Sequence, residues 1–101
     1  MTNAEFVNLF YGIYYDARNQ SLHWDNDGEK VRVLLDIDGR VFDAEVSYET
    51  DDGSWTDWKS LPVSFGKMVD DGLAKANELG IALEDLSRVI LDNDLETVIL
   101  S

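Results

Sequence analysis

The feature that most constrains this chain is a pair of alternating runs joined by Asp38-Gly39, in residues 30–49 (KVRVLLDIDGRVFDAEVSYE). Successive strand residues point to opposite faces. Asp-Gly between two such runs predicts a hairpin on a two-residue type I′ turn, whose central positions both need positive φ. With Asp38 and Gly39 as the turn, Leu35 faces Phe42, Val33 faces Ala44 and Val31 faces Val46, all apolar and all on one face. Arg32 then meets Glu45 on the other face, an opposite-charge pair. A slip of one residue would scatter both sets, so the register is strongly specified.

Around this hairpin the spacing of turns predicts a four-stranded antiparallel meander. Asp-Gly recurs at 27–28 and 52–53, and alternating runs flank each turn. Leu22 and Trp24 mark a short strand before the hairpin, and residues 54–60 a strand after it. Trp55 and Trp58 lie three apart, so on a regular strand they face opposite ways. Either one is exposed, or a bulge near Thr56-Asp57 brings both to one side.

Helices are expected on either side of the sheet. Thr2 and Glu5 have the spacing of a capping box, and a helix is read over residues 3–18. Its apolar and aromatic arc would span about 240°, far beyond the roughly 100° stripe of an ordinary surface helix. That width makes Tyr11, Tyr14 and Tyr15 candidates for self-association, since tyrosine is common at interfaces. A second helix is expected from a Ser64 cap to Leu79, stopped by Gly80, with Phe65, Val69, Leu73, Ala76 and Leu79 inward. The end reads as a hairpin of residues 87–91 with 96–100, or as a helix followed by a strand. The fold class is therefore α+β, and its 101 residues form one domain, 1–101.

The charge is uneven. The net is −13, and residues 25–57 hold 11 acids against 3 bases. Direct nucleic-acid binding needs a basic patch, and an anionic membrane would repel this chain, so neither is an expected partner. A basic protein is. The N-terminus lacks a basic leader with an apolar core, and no apolar run reaches the roughly 20 residues of a bilayer span, so the expected compartment is the cytoplasm.

Catalysis finds little support in the residues. With no cysteine there is no thiol nucleophile and no thiolate metal site. The single histidine, His23, has no nucleophile-elbow serine to serve, and no phosphate-cradling glycine motif is present. The Asp-Gly turns offer hard oxygen ligands, but they miss the EF-hand spacing. Counting back from Gly28, Gly39 or Gly53 as sixth residue puts His23, Leu34 or Tyr48 first. No enzyme activity, cofactor or metal is expected.

The expected function is that of a small acidic binding or inhibitor protein. Its carboxylate-rich sheet face would dock on a basic partner through Asp36, Asp38, Asp43, Glu45, Glu49, Asp51, Asp52 and Asp57, with Trp55 and Trp58 as aromatic anchors. In charge and size alone the chain is similar to small acidic phage proteins that inhibit host nucleases, and to immunity proteins that neutralise basic toxins. No family motif can be matched to its residues. The alternative is a structural protein that forms a homodimer through the tyrosines of the first helix, with the acidic surface simply solvated.

Overall fold

A computed structural model describes residues 1–91. The chain opens with the reciprocal cap expected of it. The Thr2 hydroxyl accepts the Glu5 amide (3.1 Å), and the Glu5 carboxylate accepts the Thr2 amide (3.0 Å). The helix it starts, α1 (Asn3–Phe10), ends far short of residue 18. Tyr11 is extended and Gly12 takes φ +73°, a left-handed conformation suited to a residue without Cβ. Strand β1 (Ile13–Asp16) follows. The wide arc read as one helix is thus two elements of different period. Phe6 and Phe10 face inward at helical spacing, whereas Ile13, Tyr14 and Tyr15 are β-branched or aromatic and alternate as a strand.

Four more strands complete a meander: β2 (Ser21–Asn26), β3 (Glu29–Leu35), β4 (Val41–Tyr48) and β5 (Lys59–Ser60). Each pairs antiparallel with the next, so among the described residues the sheet has five strands rather than the four expected. The expected strand over 54–60 shrinks to β5 and an isolated bridge between Glu49 and Trp55.

The central hairpin holds its predicted pairs by a different route. Its loop is Ile37-Asp38-Gly39, closed by the Gly39 amide on the Asp36 carbonyl (3.0 Å) and the Asp36 amide on the Arg40 carbonyl (2.8 Å). Gly39 alone in this loop takes positive φ (+78°), so the turn is not type I′. The longer loop pairs Leu35 with Val41 instead of Phe42. A bulge then inserts Phe42, and the register returns to Val33–Ala44, Arg32–Glu45 and Val31–Val46. Two irregularities of one residue cancel. Phe42, expected inside, is 76% exposed.

The three helices of the described residues lie on one face of the sheet. Helix α2 (Val63–Glu78) crosses β4, and α3 (Leu83–Leu91) rests on β1. The N-cap of α2 is Pro62 rather than Ser64, and no side chain caps it; proline's fixed φ suits a helix start and it brings no amide to satisfy. Val69 and Ala76 are buried as expected, while Phe65, Leu73 and Leu79 pack on the core's margin. Where 87–91 was read as a strand arm, α3 is helical. Leu86, Val89 and Ile90 bury one side of it, Glu84 and Asp85 occupy its first turn, and Arg88 its last. The partner arm, 96–100, lies outside the described residues.

The core is aromatic on one side. Phe6 meets Phe10 edge-on at 5.4 Å, Phe10 stacks on Trp24 at 6.4 Å, and Trp24 meets Phe65 at 6.0 Å. The Trp24 indole donates to the Leu9 carbonyl (2.7 Å), satisfying an acceptor that the end of α1 leaves open. Helices α1 and α2 meet at Gly72, where a Cβ would stand 2.6 Å from the Phe10 ring. Among the described residues no helix is long and apolar enough to cross a membrane.

Candidate functional site

Because these helices share one face, the other face of the sheet is open among the described residues. Its middle is not the carboxylate row expected from the sequence. Arg32 and Lys30 stand two apart on β3 and project outward together. Arg32 donates through Nε to Glu45 Oε1 (3.0 Å), and its Nη2 lies at ion-pair distance, 3.0 Å, from the same oxygen. Trp58 covers the Arg32 guanidinium at 4.0 Å, and Trp55 covers the Lys30 ammonium at 4.3 Å. Each contact contributes about 0.5–1 kcal/mol at such half-open sites. Both tryptophans therefore lie on the open face. The irregular path from the Glu49–Trp55 bridge to β5 produces this, since Thr56 turns its own groups back to β4: its amide donates to the Tyr48 carbonyl (2.8 Å) and its carbonyl accepts the Ser47 hydroxyl (2.7 Å).

The expected docking residues separate into three groups. Asp36 and Asp38 sit at the hairpin-loop end. The Asp36 carboxylate turns inward, accepting the Asp38 amide (2.9 Å) and the Arg40 amide (3.0 Å), so it shapes the loop. Asp43 and Glu45 lie on the open face, Glu45 neutralised by Arg32 and Asp43 taking the Ala44 amide (2.9 Å). Glu49, Asp51 and Asp52 lie at the opposite end of the sheet, and Asp57 follows along the β4 edge.

That opposite end is where charge gathers. The Asp27-Gly28 turn joins β2 to β3, and the Glu49 amide donates to the Gly28 carbonyl (3.0 Å). This hydrogen bond ties the 50–54 turn to the 26–29 turn. Six carboxylates, Asp25, Asp27, Glu29, Glu49, Asp51 and Asp52, thereby stand at one end of the sheet, Asp25 on the open face across from Lys30 and Glu29 on the helical side. The charge of this region is visible in the sequence, but its place at one end of the sheet is not, because the joining bond runs between two turns.

The 50–54 turn is firmly held. Asp52 Oδ1 accepts the Ser54 hydroxyl (2.6 Å), the Thr50 hydroxyl and the Ser54 amide (3.0 Å). These bonds, the Ser54 hydroxyl first, lower the Asp52 carboxyl to about 2. Among the described residues no three or more His, Asp or Glu side chains converge as a metal shell would. His23 Nε2 lies 2.8 Å from the hydroxyl of Ser21, which is buried.

The tyrosines proposed for self-association do not share a helix face. Tyr11 caps the end of α1 and is exposed, Tyr14 projects from the open face beside His23, and Tyr15 turns inward against the core. The strand places Tyr14 and Tyr15 on opposite sides, which dissolves the aromatic arc on which that surface was read.

No protein-family model matches the chain, and no curated protein or solved structure does so either.

Proposed function

We propose that this is a small, non-catalytic, acidic binding protein of the cytoplasm that docks on a basic surface of another protein, as an inhibitor would. The surface it meets is of the kind that otherwise holds nucleic-acid phosphates. The observation that carries the reading is the gathering of six carboxylates at one end of the sheet, on two turns and the chain beside them, tied by the Glu49–Gly28 hydrogen bond. Rigid placement matters here, because a preorganised charge array loses little side-chain entropy on binding. Trp55, exposed among these acids, supplies an apolar anchor of the residue type that dominates interface energetics. Compared with the sequence expectation, the docking surface moves from the hairpin's outer face to its end, since Glu45 is already paired and Asp36 serves its own loop.

The experiment is a pull-down from source cells at low and at moderate salt, with two neutralised variants compared. Glu49→Gln with Asp51→Asn should abolish retention of a basic protein. Asp38→Asn, at the opposite end, should leave it intact. Retention of the wild type should fall steeply with salt, because the attraction between exposed charges is screened within about 10 Å at 0.1 M ionic strength. Retention that ignores salt, or that is lost equally in both variants, overturns the reading.

A further inference from the structure

A groove of about 450 Å³ opens beside the acidic end, on the helical side of the sheet. Trp24 and Val31 come to it from the sheet, Leu9 from α1, and Phe65 and Met68 from α2. Its rim is polar, and Glu29 and Asn26 belong both to that rim and to the acidic turn described above. Apolar lining and carboxylates are therefore continuous across a single surface.

We propose that this groove receives a large apolar side chain carried on a basic segment of the partner. The proposal rests on the docking reading above and names the element that docks. The volume lies within the roughly 300–1,000 Å³ of ligand sites, but such sites bury most of a small ligand. This groove is open to solvent, so it suits an anchor whose main chain stays outside. Charge decides the rest. Glu5 and Glu29 flank the opening, and Asp27 lies just beyond in the turn that leads into Glu29. Lysines or arginines on either side of the anchor meet these carboxylates, whereas an acidic segment would be repelled. Met68, 42% exposed and unbranched, gives a wall that adapts to anchors of different shape.

The test uses the full chain and two short synthetic peptides, both rich in lysine, one with phenylalanine and leucine anchors and one with alanines in their place. Binding is followed by calorimetry and by the NMR signal of the Trp24 indole N–H. The anchored peptide should bind about tenfold or more tightly than the alanine peptide, the scale of burying one large apolar side chain, and should shift the indole signal. The discriminating variant is Met68→Glu, at an exposed position where folding is undisturbed. It adds a negative charge while removing apolar wall. Weaker binding of the anchored peptide to this variant supports the groove. Tighter binding, or equal binding of the two peptides to the wild type, shows attraction by charge alone; it overturns the groove and leaves the docking reading standing. Binding of neither peptide at low salt overturns both.

Discussion

The two faces of the sheet are built from the same alternating strands and hold together by different physics. On the covered face Leu22, Val33 and Val46 lie under helices, and the aromatic chain from Phe6 to Phe65 fills the space between. On the open face Arg32 and Lys30 lie under tryptophans, with Glu45 as counter-charge. One face is apolar area removed from water, which is non-directional and sums over many contacts. The other is a few oriented pairs in partial contact with solvent. The contrast teaches where charge is placed: of the 11 acids in residues 25–57, seven lie outside the strands, while Lys30 and Arg32 stand within β3 under tryptophans.

The sharpest way to break the comparison is to remove buried volume. Leu22→Ala on the covered face should cost about 2–5 kcal/mol in urea unfolding, because Leu22 is fully buried and its cavity cannot collapse. A loss under 1 kcal/mol would mean that the covered face is loosely packed. Gly72→Ala comes next. The added methyl meets the buried Phe10 ring at 2.6 Å. Overpacking of about 1–3 kcal/mol outweighs the roughly 1 kcal/mol that alanine gains in a helix, so the melting temperature should fall. A rise would show that α1 shifts freely over α2.

On the open face a double-mutant cycle of Arg32→Ala and Trp58→Ala should give a coupling of about 0.5–1 kcal/mol. A coupling as large as the Leu22 effect would erase the distinction between the faces. The smallest effect is local. Asp52 titrates below the ordinary carboxylate range, at about 2, because it accepts hydrogen bonds in the folded turn. A lowered folded value stabilises above the unfolded value and is lost as pH falls through the folded one. The 50–54 turn should thus hold at about pH 4 and loosen toward about pH 2, seen in the Ser54 amide signal, with no such step in Asp52→Asn.

The register of β3 on β4 was legible because alternation and the Arg32–Glu45 pair both point to it. The loop type and the bulge were not, since a three-residue loop with one inserted residue leaves the same pairs downstream. The cap at Thr2 could be read from four residues. The end of α1 could not, because it depends on Gly12 changing sign of φ and on an indole fifteen residues away. For the candidate site, the charge of residues 25–57 was visible, but its sorting into loop, face and end was not. That sorting follows from the bond between Glu49 and Gly28, which no local pattern encodes. A helix over residues 11–18 fails for the same reason, since an aromatic run fits both periods until a long-range contact decides.

Every strand of this sheet pairs with its neighbour in sequence. Such an arrangement closes only short loops, and proteins rich in local pairing cross a low entropic barrier as they fold. The β3–β4 hairpin can form within about 1–10 μs, and each added strand then extends an existing edge. The first helix finds its partners, Trp24 and Gly72, only further along the chain. During synthesis Phe6 and Phe10 therefore emerge before the residues that bury them and stay in water until those follow.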